Sequence, residues 1–316
     1  MARVYKIPTQ KASFTIPPIG VITRAVIVSR PLTAQAATAQ DAARLRLFMQ
    51  GARRVHQHLD WHEPADWLGR RPFYFAVDDK RVVGVLAAPP DPPDTAWLRL
   101  LAIADGVPIG DVLRAVWPAA RRELEMDGAR LAAALAVDEW VGPAIAGLGF
   151  QNVNQVVVLS RLRPRKPGRA AAPGPDGVPF ELRPLRPFDL PAVGLVDQAA
   201  FASPWHVSEQ ALALALGEAG YATVAETGGP PRVVGFQIST EGRGSAHLAR
   251  LAVLPEFQGK GIATALAANA IGYFDSRRVK RVTVNTQQDN LASLAVYERL
   301  GFKVTGERYS VWQMTL

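Results

Sequence analysis

The chain of 316 residues is 48% hydrophobic and 20% charged, has no cysteine and carries a net charge of +8. The missing cysteines exclude disulfide frameworks, thiolate metal ligands and a cysteine nucleophile, and no run of eighteen apolar residues offers a membrane span. The length suits two domains of about 150 residues. The basic excess favours anionic partners, with phosphorylated cofactors or acidic substrates ahead of nucleic acid, because no zinc-finger spacing, RNA-recognition signature or basic heptad region accompanies it.

Residues 1–24 read as an arm without the apolar stretch or small-residue cleavage site of a secretory signal, which points to the cytoplasm. A first domain is expected over 25–163. It runs through RPL at 30, a helical stretch from Asp41, strand-like FYFAV at 73, RVVGVLAA at 81, WLRLLAI at 97, a long helix, and GLGF at 147. Within it, RVHQHLDWHE sets His56 and Asp60, or His58 and His62, at helical i, i+4 spacing. That spacing can hold a metal, but no Glu stands between the histidines as in HExxH, so an ordinary amphipathic helix and no metal are expected. Residues 164–178, rich in Pro, Gly and basic side chains, read as a linker.

The second domain, 179–316, repeats the first. RPL at 183, a helical stretch from Asp189, YATVAE at 221, RVVGFQIS at 232, HLARLAV at 247, a long helix and RLGF at 299 return in the same order, each roughly 150 positions on. The chain is therefore read as a tandem duplication, each copy predicted as β-α-α-β-β-β-α-β-α-β-β.

The copies diverge after the fourth strand. In RLAVLPEFQGKGIATALAANAIGYF a strand ends at Val253, a Pro-containing turn follows, and Ile262, Leu266, Ala270 and Tyr273 recur at helical spacing. Glycines in the first turn leave unpaired amides and the positive end of the helix open to an anion. A Walker-type loop is excluded, since GK is followed by Gly, and the dinucleotide fingerprint is absent.

This stretch resembles the acetyl-CoA loop of the GNAT superfamily of N-acetyltransferases, which reads Arg or Gln, two residues, Gly, one residue, Gly or Ala: here Gln258, Gly261 and Ala263. The same family places Asn, Tyr seven residues on and Gly-Phe four further, matched by Asn290, Tyr297, Gly301 and Phe302. The resemblance covers 180–316 directly and 25–163 through the repeat. It implies an α/β (α+β) fold of two tandem GNAT-like domains, each a mixed, mostly antiparallel sheet flanked by helices. Acetyl-CoA would be the co-substrate, held by Leu251, Ala252 and Val253, by Gln258, Gly259, Lys260, Gly261, Ile262 and Ala263, and by Asn290 and Tyr297. Tyr297 would return a proton to the leaving thiolate, and an amine of a small molecule or peptide would attack directly in a ternary complex. Many members carry Glu early on the fourth strand; His247 stands there instead, a possible base with an unperturbed pKa of about 6.5, or a strand histidine in a structural hydrogen bond. Glu241 and Glu307 are weaker candidates for the base and are read first as solvated. Trp205 and His206 fall on the helical segment that borders the acceptor site in this superfamily.

Each position also has a structural reading: helix capping for 258–263 and for Asn290, core packing for Tyr297. In the first copy the loop is shorter, the Gln and paired small residues are missing, and Ile145 stands where Tyr297 stands. That copy is read as a degenerate scaffold that binds no acetyl-CoA. A monomer or homodimer is expected, and a non-catalytic acyl-CoA-binding or partner-binding module remains the alternative.

Overall fold

The computed structural model describes residues 31–163 and 179–316; the expected arm and linker lie outside the described residues. The chain divides into two compact units. An N-terminal unit extends to Asn152 and includes Trp312–Leu316, and a C-terminal unit holds Val153–Val311.

The N-terminal unit comprises β1 (Thr33–Ala36), α1 (Ala42–Gly51), β2 (Ala52–Gln57), β3 (Phe73–Asp78), β4 (Arg81–Ala87), β5 (Thr95–Trp97), β6 (Leu100–Ala104), α2 (Ile109–Met126), β7 (Leu131–Ala136) and α3 (Val141–Ala146). Its antiparallel sheet runs β1-β3-β4-β6-β2, and β5 pairs in parallel with β7. α2 lays Val112, Leu113, Val116, Trp117, Ala120 and Leu124 into the core, a 3.6-residue stripe. The chain's last residues return here: the Leu316 amide donates to the Arg130 carbonyl at 3.1 Å, and Met314 is buried in the same core.

The C-terminal unit takes most of β8 (Gln151–Leu162), then β9 (Phe180–Pro184), α4 (Leu190–Ala200), α5 (Glu209–Gly217), β10 (Tyr221–Thr227), β11 (Arg232–Gly242), β12 (Ser245–Val253), α6 (Ile262–Ser276), β13 (Arg281–Gln287), α7 (Leu291–Arg299) and β14 (Lys303–Thr315) as far as Val311. Strands β9 to β12 form an antiparallel meander, β12 and β13 are parallel, and β8 lies antiparallel on the far side of β13.

Two predicted elements are corrected. The second helix of the first copy is a strand: RVHQH falls on β2 and the turn after it, not on a helix. Helix propensity there is moderate, and the open edge of β6 supplies a ladder that outweighs it. The final pair of strands in the second copy is one strand of 13 residues, β14, in which Gly306 takes a φ of +92° without ending the strand.

The repeated RVVG has a packing cause. A Cβ on Gly84 would run into the side chain of Val112 in the first turn of α2. One on Gly235 would lie 3.3 Å from Ile262 Cγ2, at the start of α6, and 3.0 Å from the Ala252 carbonyl. In each unit a glycine in the third strand of the meander lets the helix after the fourth strand sit close on the sheet.

Candidate active site

The site begins with a parting of strands. The parallel pairing of β12 with β13 joins residues 245–248 to 281–284 and stops there, although β12 continues to Val253 and β13 to Gln287. A bulge causes the parting: β11 pairs Ile238 with Arg250 but Ser239 with Leu248, leaving Ala249 as the extra residue on β12. An extra residue bends its strand and sharpens its twist. Beyond it, Leu251, Ala252 and Val253 stay paired to β11 through Gln237, Phe236 and Gly235. Their other edge faces the opening, ready to pair with an extended ligand.

At the mouth of this opening the chain turns through Pro255–Phe257 into α6. The Gln258 side-chain amide donates to the Val253 carbonyl at 3.0 Å and ties the turn to the end of β12. Gly259 and Gly261 adopt φ of +75° and +80°, and a Cβ on either would meet nothing within 4 Å. Gly is needed there for the left-handed backbone, and the space above both is open. The first intrahelical bond at this end runs from the Ala265 amide to the Gly261 carbonyl at 2.9 Å. The amides of Ile262, Ala263 and Thr264 thus come before the helical ladder starts, and no acidic residue stands in this turn. Lys260 donates to the Glu256 carbonyl at 2.7 Å, keeping a cation at the rim. These residues fit a pyrophosphate-bearing ligand: open amides, the positive helix end and one lysine.

Asn290 caps α7, its Oδ1 accepting from the Ser293 amide at 3.1 Å. Tyr297, on α7, is buried in the cluster that includes Phe274, Val284 and Phe302 and against which Leu251 packs. It meets Phe302 edge-on at 5.7 Å between ring centroids. Burial raises its phenol pKa, so the hydroxyl keeps its proton throughout the physiological range. The structure therefore brings Tyr297 to the apolar wall beside the parting strands.

His247 lies elsewhere. Ala246 and Leu248 face the Tyr297 cluster, so His247 between them points to the opposite face of the sheet. It stands in a cross-strand row with Thr240 and Thr283. Its Nδ1 is 2.9 Å from Thr283 Oγ1, and that hydroxyl donates its one proton to the Ala246 carbonyl at 3.3 Å. A Thr283 hydroxyl spent on Ala246 can accept from Nδ1–H, and Asn285 is a further hydrogen-bond partner of the ring. Burial lowers the His247 pKa to about 4, against smaller upward pulls from hydrogen bonds to Asn285 and Thr283. The imidazole is neutral at pH 7. Glu241 is engaged by Arg277 at 3.1 Å, and Glu307 accepts from Tyr309 at 3.4 Å.

Sequence reasoning missed Arg250 and Asp197. Arg250, next to the bulge, donates through Nε (2.6 Å) and Nη2 (2.8 Å) to the Asp197 carboxylate, and through Nη2 to the Trp205 carbonyl at 2.7 Å. Its guanidinium lies 3.9 Å from the Phe201 ring centroid. Trp205 and His206 are not helical; they belong to the loop between α4 and α5, which this cluster holds against β12. Arg99 and Asp60 form an ion pair in the N-terminal unit too, but at other positions of the repeat, so the sequence carried no signal for the Arg250–Asp197 pair.

A sheet parted between two parallel strands, with a glycine turn and an open helix end at its mouth, makes an α/β fold whose opening could hold an extended anionic ligand. A model of the acetyltransferase (GNAT) family matches residues 192–302. The ribosomal protein bS18-alanine N-acetyltransferase of Escherichia coli K12 is 30% identical over 142 residues, covering 42% of this chain and 86% of that protein. Among solved structures, a tandem GNAT protein from the clavulanic acid biosynthesis pathway aligns with a TM-score of 0.57 at 20% identity, covering 90% of this chain and 98% of its own. A GCN5-related N-acetyltransferase from Sphaerobacter thermophilus aligns with a TM-score of 0.56 at 17% identity, covering 90% and 96%. At those identities the structural likeness is one of fold. The chain belongs to the GNAT family of N-acetyltransferases.

Proposed function

We propose that the C-terminal unit is the catalytic one and transfers acetyl from acetyl-CoA to an amine by direct attack in a ternary complex. The observation that carries this reading is the parting of β12 from β13 after Leu248, with the amides of 258–263 at its mouth. Bound there, acetyl-CoA would supply an activated thioester. The edge of Leu251, Ala252 and Val253 would hold the pantetheine arm, and an amide of that edge would stabilise negative charge on the thioester oxygen. Gly259, Lys260, Gly261, Ile262 and Ala263 would hold the pyrophosphate, Gln258 would brace their turn, and Asn290 would fix the start of α7. Tyr297, protonated and in the cluster against which Leu251 packs, would donate a hydrogen bond to the departing thiolate.

The acceptor amine must be neutral to attack. A lysine amine has a pKa of about 10.4 and an α-amine about 8, whereas the His247 pKa is about 4. Direct deprotonation by His247 would be roughly six units uphill for lysine and roughly four for an α-amine. Loss of the ammonium proton to bulk solvent at pH 7 costs only the gap between the amine pKa and the pH, roughly three units for lysine and roughly one for an α-amine, so the amine enters neutral, and the proton shed after attack passes by way of the His247 imidazole to water. This arithmetic favours α-amines over lysines, and the bS18-alanine enzyme offers a first acceptor class to test, N-terminal peptides. The protein would act in the cytoplasm as a monomer or homodimer. Among the described residues no helix is long and apolar enough to cross a membrane.

The test is CoA thiol release with a panel of N-terminal peptides, lysine peptides and small amines. Release with at least one class, abolished by disrupting the glycine turn, supports the reading. Acetyl-CoA binding without release from any acceptor would leave a binding module in its place.

A further inference from the structure

The N-terminal unit shows the same parting of strands, at the equivalent place. Its parallel pair joins Thr95, Ala96 and Trp97 to Leu131, Ala132 and Ala133, and ends with the Leu98 amide on the Ala133 carbonyl at 2.7 Å. Leu98 is the counterpart of Leu248 in the repeat. Beyond this point β6 continues with one edge on β4, as β12 continues on β11. The other edge is where the two units differ. In the C-terminal unit, among the described residues, β12 has only β11 and β13 as neighbours. In the N-terminal unit the freed edge of β6 is taken by β2, from Ala52 opposite Ala104 to Gln57 opposite Leu100.

The strand is held firmly. The His58 amide extends the ladder to the Arg99 carbonyl at 2.9 Å. His56 is fully buried, its Nε2 3.2 Å from the Leu98 carbonyl. Just past the strand, Asp60 receives Arg99 Nη1 at 2.6 Å, and Arg99 Nη2 reaches the Asp91 carbonyl at 2.9 Å. At its other end Arg53 and Arg54 line a cavity of about 440 Å³ with Asp105, Gly106, Val107 and Pro108, just before α2. The strand thus runs the length of the slot, from the head of the helix to the point where the parallel strands part.

We propose that β2 is a built-in occupant of the first copy's ligand slot: it takes the edge of β6 that an extended acyl-CoA arm would pair with, and so closes this copy to acyl-CoA. The proposal rests on reading the C-terminal slot as the acyl-CoA site. It accounts for what the missing glycine turn alone does not, since loss of a phosphate cradle weakens a ligand, whereas an inserted strand excludes it. The divergence of the second helical segment into a strand is then the change that shut the copy.

The experiment uses the full chain. Calorimetric titration with acetyl-CoA, paired with hydrogen exchange, should give one site per chain. Amides of 251–263 should gain protection on addition, and those of 100–104 should be protected equally with and without ligand. Val55→Pro and Gln57→Pro, made separately, remove ladder positions from β2; at least one should speed exchange at 100–104 about tenfold or more and leave 251–253 unchanged. Two acetyl-CoA sites per chain, with 100–107 newly protected or 52–57 released, would overturn the proposal. So would exchange at 100–104 indifferent to both variants. Absence of acetyl-CoA binding altogether would instead count against the proposed function, while the exchange response to the proline variants would still report whether β2 holds that edge.

Discussion

Arg250 grips Asp197 by two charge-assisted hydrogen bonds at 2.6 and 2.8 Å, and the carboxylate is wholly buried. The pair joins the bulge that parts the strands to the loop after α4, because Asp197 also accepts from the Val207 amide at 2.9 Å and Arg250 from its own side holds the Trp205 carbonyl. One ion pair thus ties the loop to β12. Asp197→Ala leaves a buried guanidinium without its counter-charge, for which about 3–5 kcal/mol is the usual cost. Urea denaturation should show a loss of that size, and hydrogen exchange should show 201–208 loosened. The paired change Asp197→Leu with Arg250→Met should regain much of the stability yet still raise the amine KM, because the loop anchor is gone. A double variant with unchanged amine KM would reduce the pair to a stability element.

The glycine turn gives a sharper prediction. Gly261→Val forces a β-branched residue to a φ of +80°, which costs roughly 1–3 kcal/mol locally, and it places methyl groups in the open space above the amides. Acetyl-CoA affinity should fall at least tenfold by calorimetry, with the amine KM little changed. Gly106, before α2 in the N-terminal unit, has a φ of +75°, so Gly106→Val carries a like strain but should leave acetyl-CoA affinity intact. Equal losses from both variants would point to general destabilisation.

The repeat, the turn and the strand-helix order around it could be read from the chain because each depends on local chemistry. Glycines at 259 and 261 mark left-handed backbone, and the RVVG pairs mark close helix-sheet approach. The bulge at Ala249, the Arg250–Asp197 pair and strand β2 could not, because each depends on a partner 9 to 53 residues away or on an edge that exists only after the strands part. RVHQH has no strong preference of its own, and the helical spacing of its histidines misled for that reason. Asn290 and Tyr297 show the opposite difficulty. Their motif pointed to a ligand, while the side chains also cap a helix and fill a core.

A Thr283 hydroxyl that donates to the Ala246 carbonyl would favour the Nδ1–H tautomer of His247. Thr283→Ser keeps that hydroxyl, and Thr283→Val removes it. Nitrogen chemical shifts of the His247 ring should show the Nδ1–H form in the native chain and in the Ser variant, and a mixture or the Nε2–H form in the Val variant. Acetylation should follow the tautomer, falling about tenfold only in the Val variant, within the range usual for loss of a positioned proton acceptor. An unaltered tautomer in the Val variant would remove Thr283 from this role.

The buried imidazoles make stability depend on pH in a defined sense. Burial lowers the pKa of His56 and of His247 to about 4, that of His58 well below its ordinary value, and that of His62 downward. In the unfolded chain each returns to about 6.5. Between those values the unfolded chain binds more protons than the folded one, so stability is fully present above pH 6.5 and drains away as the pH falls toward 4. A gap of about 2.5 units is worth about 3 kcal/mol for a single such group. Asp60 works the other way, since burial raises its carboxyl pKa despite Arg99. The N-terminal unit holds three of these histidines and the C-terminal unit one, so acid should open the former first. Urea midpoints at pH 7.5, 6 and 5, with exchange read separately at 73–104 and 221–253, should show the first segment losing protection at higher pH. His56→Gln should flatten the slope, and midpoints that stay constant from pH 7.5 to 5 would show that these imidazoles take up protons without opening the fold.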